Sequence, residues 1–218
     1  ETITGSGSIG FGPNALTFAN LAGKVSATGV GSLLSISTGN IVTNKATLQA
    51  TNGGDLEIND EVDNSGGLIQ ALAATSTTTT VNVYSDVSGG MLYASGQGAV
   101  VGVNADTTGV TLRAYNSGVI AVKGSTLSND VIYANNGGQA LLQNANIVGG
   151  SLKGDTASAL RLDGVTLDGS STATTFTGAA TVVGGSTLTL KGSFVDTGVL
   201  TLAAPPSGSS TALEIDGA

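Results

Sequence analysis

The middle of the sequence repeats itself every twenty residues. Apolar residues of one class recur at this interval in two rows, which are Val122, Leu142 and Leu162, and Leu127, Ile147 and Leu167. Each unit is too short to bury its apolar side chains by itself, so units of this kind must stack on their neighbours. The repeat therefore predicts a stack of similar units rather than one thick core.

The rows continue in both directions, with insertions near residues 60–70 and 169–180. They comprise an apolar row at Leu72, Leu92, Leu112, Ile132 and Leu152, a small-residue row at Gly98, Gly118, Gly138 and Ser158, and alternating apolar pairs at Leu34/Ile36, Leu56/Ile58, Val81/Val83, Val101/Val103, Ile120/Val122, Ala140/Leu142, Leu160/Leu162 and Leu188/Leu190.

Each unit contains three short segments in which apolar and polar residues alternate, the pattern of a half-buried strand. Gly, Asn, Ser and Asp separate the segments, and these residues favour tight corners. No segment has the apolar spacing of a helix. The sequence therefore predicts an all-β fold, a single-stranded parallel β-helix (β-solenoid) with three short strands and roughly twenty residues per coil. The whole chain, 1–218, forms one domain of about eleven coils, on the order of 50 Å long.

Composition excludes several classes of function. The chain has a net charge of −8, and its seven Lys and Arg residues are scattered, so nucleic-acid binding is not expected. It has no Cys and no His, which rules out disulfides, Cys-ligated metal sites and Ser-His or Cys-His nucleophiles. No apolar run approaches the roughly 18 residues of a membrane span, so membrane insertion is not expected either.

The segments GGDLEIN, GVIAVKGSTL, SALRLDGVTL and GGSTLTLKGS resemble the right-handed parallel β-helix of bacterial filamentous-haemagglutinin-like adhesins and autotransporter passenger domains. The resemblance covers residues 15 to 215 and is one of class. It implies a right-handed solenoid, bacterial export, display at the cell surface and a role in adhesion. The hexapeptide signature of left-handed β-helices is missing.

An outward-facing row of alternating aromatic and basic residues is the first candidate site. Tyr93, Arg113, Tyr133 and Lys153 each follow a buried apolar residue and lie one coil apart. At about 5 Å between coils, they can form a cation–π ladder worth roughly 0.5–1 kcal/mol per contact. We interpret the row as a structural surface ladder, with a shallow sugar-binding strip as the alternative.

An acidic segment is the second candidate. Carboxylate oxygens in a loop are typical calcium ligands, and the cluster comprises Asp55, Glu57, Asp60, Glu61 and Asp63. We expect Asp55 and Glu57 to point outwards and 60–63 to form a corner loop, so the cluster is a candidate Ca²⁺ site or simply a solvated surface. No other cofactor is expected. Asp86 and Asp106, twenty residues apart, allow the same two interpretations.

Two further patterns suggest other functions more weakly. Thr-rich segments lie at 75–80 and near residue 175, but they lack the regular rows of an ice-binding face. Arg161, Asp163 and Asp168 fall on one coil, and paired carboxylates can hydrolyse glycosides.

The sequence thus predicts a non-enzymatic extracellular structural or adhesive protein, a rigid surface or fibre element. No polar or helical cap is evident at either end, so we expect a segment of a longer solenoid or a protomer that stacks end to end. Its expected partners are further copies of itself and cell-surface glycans. The alternative is a carbohydrate-binding or carbohydrate-cleaving β-helix.

Overall fold

Three parallel β-sheets wind around a common axis in the computed structural model of the chain, which describes residues 1–10, 15–74, 77–156 and 159–217. The chain visits the three sheets in turn and forms about 10 turns of about 20 residues each. The described residues contain no helix, and all pairings between coils are parallel. The predicted β-solenoid is therefore confirmed.

The sheets are numbered by the order in which a coil enters them. The first sheet contains β1 (Thr2–Gly5), β4 (Lys24–Thr28), β7 (Thr47–Thr51), β10 (Leu68–Leu72), β13 (Met91–Ser95), β16 (Thr111–Tyr115), β19 (Val131–Asn135) and β22 (Ser151–Gly154). The second sheet contains β2 (Gly7–Ile9), β5 (Leu33–Ile36), β8 (Asp55–Ile58), β11 (Thr79–Val83), β14 (Ala99–Val103), β17 (Val119–Lys123), β20 (Gln139–Gln143), β23 (Leu160–Asp163) and β26 (Val199–Leu202).

The third sheet is built from shorter strands, except at its C-terminal end. It contains β3 (Ala19–Asn20), β6 (Val42–Asn44), β9 (Val62–Asp63), β12 (Val87–Ser88), β15 (Thr107–Thr108), β18 (Thr126–Ser128), β21 (Asn146–Val148) and β27 (Ala212–Asp216). Two long strands turn corners without a break. They are β24 (Thr166–Val182), which runs through all three sheets, and β25 (Thr187–Asp196), which runs through the third and the first.

The core consists of columns of like residues, because each inward side chain lies on its partner in the next coil. The first sheet supplies an aliphatic column and an alanine column, and both are buried. The aliphatic column is Val25, Leu48, Ile69, Leu92, Leu112, Ile132 and Leu152. Stacked layers of aliphatic side chains and alanine explain how a chain with only 4% aromatic residues has a continuous core.

Glycine is required where the backbones of successive coils approach most closely. A Cβ atom on Gly118 would lie 2.4 Å from the carbonyl oxygen of Ala94, and one on Gly138 would lie 2.4 Å from the carbonyl carbon of Ala114. Real Cβ contacts are not this short, so any side chain would force the corner apart. The glycines of the predicted small-residue row are thus explained by their contact with the alanine column of the preceding coil.

Two rows of the structure differ from those that the twenty-residue repeat predicts. The row at Leu92 continues to Ile69 and not to Leu72, which instead pairs with Ser95 and is half-buried. The extra residues of this longer coil follow β10, whereas the repeat places the insertion before β10. Similarly, Leu190 pairs with Leu167 in the third sheet, so the Leu188/Leu190 pair does not continue the second-sheet row. That row continues through Ala180 and Val182 of β24.

Candidate functional site

The four predicted ladder residues form one outward column on the first sheet. Backbone register pairs Tyr93 with Arg113, Arg113 with Tyr133, and Tyr133 with Lys153. The Arg113 guanidinium carbon lies 5.8 Å from the ring centroid of Tyr93 and 5.6 Å from that of Tyr133. The Lys153 ammonium lies 5.1 Å from the Tyr133 centroid. All three distances are in the range of cation–π attraction.

Tyr115 joins this ladder from the neighbouring column, which the sequence analysis missed. Its ring centroid lies 5.1 Å from the Arg113 guanidinium carbon and 6.5 Å from the Tyr93 centroid, with the two rings stacked. Its partner across the coils is Ser95, so a search for alternating aromatic and basic residues within one row could not find it. Arg113 is consequently surrounded by three tyrosine rings, and its buried Nε has no hydrogen-bond partner among the described residues.

The same outward column continues towards the N terminus with amide side chains. Gln70 pairs with Tyr93, and its Nε2 donates to Oε1 of Gln49 at 3.0 Å. Gln49 Nε2 in turn donates to Ser26 Oγ at 3.0 Å. One outward column therefore carries two runs of side-chain contacts, from Ser26 to Gln70 and from Tyr93 to Lys153, and backbone register joins the two runs at Gln70 and Tyr93. Within each run the side chains contact their neighbours along the axis, as a device that fixes register would.

The acidic segment does not form a metal site in this structure. Among the described residues, no three Asp, Glu, His or Cys side chains come together as metal ligands would. Asp55 and Glu57 lie on the outer face of β8, as predicted, and Asp55 accepts a hydrogen bond from the Thr80 hydroxyl. The corner contains Asp60 and Glu61, whereas Asp63 belongs to β9, a correction to the predicted loop. The calcium interpretation thus has no geometric support, and we do not propose it.

Most of the described carboxylates with hydrogen bonds accept them from backbone amides at corners. Asp60 accepts the N–H groups of Thr38 and Gly39 in the preceding coil. Asp86 and Asp106, the other predicted ion-binding pair, form successive caps: Asp86 accepts the Asp106 amide at 3.2 Å, and Asp106 accepts the Thr126 amide at 2.7 Å. These bonds satisfy amides that the sheets leave without partners.

Hydrogen bonds at two such corners shift the acidity of the carboxyl group. The Ser65 hydroxyl and amide both donate to Asp63 and lower its pKa. The Ser170 hydroxyl and amide lower the pKa of Asp168 in the same way. Ionised caps of this kind stabilise the folded chain at neutral pH.

Asp130 is a buried corner carboxylate of a different kind. It is fully buried and accepts hydrogen bonds from the Thr107 hydroxyl and, at 2.7 Å, from the Val110 amide. Burial raises the pKa of Asp130 to about 6, against the opposing effect of these hydrogen bonds. The group therefore titrates just below neutral pH.

Buried asparagines hold the corners of the N-terminal coils. Asn20 Nδ2 donates to Asn44 Oδ1 at 2.8 Å, and Asn44 Nδ2 donates to Asn64 Oδ1 at 2.7 Å. All three side chains are buried, and Asn64 completes the ladder by donating to the Gly67 carbonyl at 3.3 Å. This ladder was not predicted, because the insertions in these coils disguise the spacing of its members.

The outer face of the second sheet carries a groove of about 530 Å³. Its floor is formed by the small residues Gly102 and Ala121, at successive positions of one outward column. Its polar walls include Asn82, Asn104, Lys123, Gln143, Arg161 and Asp163.

The predicted catalytic group is divided by this geometry. Arg161 and Asp163 line the groove, but Asp168 is not among its lining residues. Asp168 pairs in register with Val148 on the third sheet, and its Oδ1 accepts the Ser170 amide at 2.9 Å. The three tyrosines of the ladder are on the first sheet, so the groove and the aromatic column occupy different faces.

The Thr-rich segments have no common face. Thr79 and Thr80 belong to β11, where Thr79 is buried and its hydroxyl accepts the Gly53 amide at 2.9 Å. Outside the described residues lie residues 75 and 76 of the first Thr-rich segment and Ser158 of the small-residue row. Within the part of the chain that the structure describes, no helix has the length and apolar character needed to cross a membrane.

Comparisons of the chain with protein-family models, with curated proteins and with solved structures found no match.

Proposed function

We propose that this chain is a non-enzymatic structural element of the bacterial cell surface, a rigid β-solenoid that serves as a spacer or fibre segment. The observation that carries the proposal is the outward column of the first sheet, in which side-chain contacts join three successive coils from Ser26 to Gln70 and the next four from Tyr93 to Lys153. Contacts of this kind resist bending and slippage of register along the axis.

The chemistry of the other polar residues supports the same role. Corner carboxylates such as Asp60 and Asp106 cap backbone amides, and the buried asparagines bond to one another. Much of the polar side-chain chemistry thus connects one coil to the next, as expected of a structural rod. The finer assignment to right-handed, exported adhesin or passenger-domain β-helices comes from the sequence resemblance, as does the proposed extracellular location.

We further propose that the rod extends by stacking on copies of itself. Strand β1 has β4 as its described partner in the next coil, and β27 has β25. The outermost coils also expose apolar side chains, including Ile3 at 48% and Ile215 at 75%. A strand edge with exposed apolar side chains can pair with a further coil, as this proposal requires.

Electron microscopy and sedimentation velocity of the purified chain over a range of concentrations test this proposal. We expect rods whose length grows in steps of about 50 Å, the length of ten stacked coils. Ile215→Lys should shorten them, whereas the matched control Val131→Lys, which adds the same charge to the side of the rod, should not. Monomers at every concentration would contradict end-to-end stacking.

A further inference from the structure

The groove on the second sheet has no part in the structural role, because a spacer needs no concave surface. We propose that this groove binds a linear acidic oligosaccharide whose sugar carboxylates contact Lys123 and Arg161. The proposal goes beyond the structural function and does not depend on it.

Charge is the first argument. The groove brings together two exposed cations, Lys123 and Arg161, with one carboxylate, Asp163. The whole chain has only seven basic residues and a net charge of −8, so a locally positive concavity is unusual on this molecule. Asp163 Oδ2 also accepts a hydrogen bond from Gln143 Nε2 at 3.2 Å, so one oxygen of this carboxylate already has a partner within the chain. A guanidinium and an ammonium group that line the same groove favour a ligand with carboxylates.

The arrangement of the two cations is the second argument. Lys123 and Gln143 are register partners, and so are Gln143 and Asp163, so Arg161 lies two coils above Lys123. Two coil spacings correspond to roughly 10 Å along the axis. A single small anion does not reach both groups, whereas a linear polymer with carboxylates at intervals lies along the groove and contacts each in turn.

The neutral residues identify the polymer as a carbohydrate. Asn82, Asn104 and Gln143 supply amide donors and acceptors along the groove, which suit sugar hydroxyls. The Asn82 amide lies over the floor, where its Oδ1 would be 2.7 Å from a Cβ on Gly102. The absence of a side chain at Gly102 leaves space for the amide in this position.

An exposed tyrosine lies beside the groove, next to its lining residue Asn104 in the register of the sheet. Val83 pairs with Val103, so Tyr84 lies one coil before Asn104 in the same outward column. Its side chain is 49% exposed, which is unusual for a large aromatic residue on this surface. An exposed aromatic ring next to hydrogen-bonding amides offers a flat apolar surface to one face of a sugar ring. Tyr84 thus adds an aromatic surface beside the amides and cations that line the groove.

Titration calorimetry with a hexamer of galacturonic acid tests this assignment. We expect saturable binding below about 1 mM that weakens as salt is added. The fully methyl-esterified hexamer, which lacks the charges, should bind at least tenfold more weakly. Equal binding of the two hexamers, or no binding of the acidic one, would overturn the proposal.

Variants locate the site on the molecule. Lys123→Gln and Arg161→Gln should each weaken binding about tenfold, and Ala121→Phe, which fills the floor without altering charge, should abolish it. Tyr84→Ala should weaken it about threefold. All four side chains are on the outer face, so unchanged thermal unfolding confirms that the variants fold. Lys45→Gln is the matched control, because it removes an exposed cation outside the groove.

Two outcomes would show that the carbohydrate assignment is wrong. If Lys45→Gln weakens binding as much as Lys123→Gln, the attraction is that of the whole surface and not of the groove. If a polyaspartate peptide of equal charge binds as tightly as the hexamer, the groove recognises charge alone. Neither outcome affects the proposed structural role, which is tested by the length of the rods.

Discussion

The N-terminal and central coils use different chemistry at the same positions. On the outer face of the first sheet, Gln49 and Gln70 form a hydrogen-bonded amide ladder, whereas Tyr93, Arg113 and Tyr133 form a cation–π ladder. The backbone pairing is parallel and in register throughout. The position therefore requires a side chain that contacts the coils above and below, and either chemistry satisfies that requirement.

The corners show the same contrast. In the N-terminal coils, a buried corner is held by the neutral ladder of Asn20, Asn44 and Asn64. In the central coils, the buried polar side chains include a carboxylate, Asp130, which accepts a hydrogen bond from the buried Thr107 hydroxyl. A neutral amide both donates and accepts, so it can extend a ladder indefinitely, whereas an ionised carboxylate only accepts. The asparagine ladder itself should therefore be insensitive to pH, and the corner at Asp130 should not.

Removal of the central amide of the asparagine ladder should have the largest effect. Asn44→Ala leaves Asn20 Nδ2 and Asn64 Oδ1 without this partner in a buried corner, at a cost of about 2–4 kcal/mol. Urea unfolding measures the loss. Asn59→Ala is the control, because the Asn59 side chain is exposed and its one described hydrogen bond is to Ser35 Oγ at 3.0 Å. A loss below about 0.5 kcal/mol would show that the ladder does not stabilise these coils.

Asp130→Asn should stabilise the protein at neutral pH. The pKa of Asp130 in the folded chain, about 6, lies above the ordinary value of 3.8, so the folded state binds the proton more tightly than the unfolded state. Stability therefore decreases as the pH rises from 4 to 6, and the deficit persists at pH 7. An uncharged amide removes this deficit, on the order of 2 kcal/mol.

Urea unfolding between pH 4 and pH 7 checks this expectation. Asp130→Asn should abolish the decrease in stability over this range. The control Asp155→Asn removes an exposed carboxylate that accepts the Asn136 amide and should leave the decrease in place. A variant less stable than the parent chain at pH 7 would contradict the assignment of Asp130 as a strained, buried charge.

Arg113→Met should weaken the central coils by about 1–2 kcal/mol. Methionine keeps the apolar stem but loses the attraction of the guanidinium to the surrounding tyrosine rings. Amide hydrogen exchange locates the effect, which we expect in β13, β16 and β19. Lys45→Met, at an exposed position, should change exchange little; an equal effect of the two variants would show that the tyrosines contribute nothing specific.

Gln70→Leu should have the smallest effect, about 0.5–1 kcal/mol, because it removes one half-buried hydrogen bond. The change is measured by the same urea unfolding. Gln139→Leu on the second sheet is the matched control, since Gln139 has no described side-chain hydrogen bond to lose. Equal stability of the two variants would show that the hydrogen bond between Gln70 and Gln49 does not stabilise the coils, in contrast to the cation–π contacts.

The repeat was enough to predict the solenoid, its three strands per coil and the column from Tyr93 to Lys153. Pairing between neighbouring coils could be predicted where coils have twenty residues, because a constant period shows which residues pair. It failed around Leu72 and Leu188, because an insertion within a coil shifts the row by an amount that the sequence does not specify. Ile69 and Leu72 are both apolar, and only the backbone decides which of them faces inwards.

The groove and the carboxylate caps could not be predicted from the sequence either, but for a different reason. Tyr84, Lys123 and Arg161 are on different coils and differ in chemical class, so no repeat connects them. The corner carboxylates looked like calcium ligands because the sequence does not show which backbone amides they face. Contacts across three sheets depend on how the corners turn, and single-residue patterns do not encode that geometry.

Force spectroscopy of single molecules, pulled along the axis from both ends, tests most directly whether the chain is a rigid structural rod. We predict stepwise extension in increments of about 70 Å, the contour length of one coil of twenty residues. The coils joined by Arg113 should yield at the highest force and the outermost coils at the lowest. A chain that extends smoothly without resistance, or that yields first at the ladder, would contradict the account.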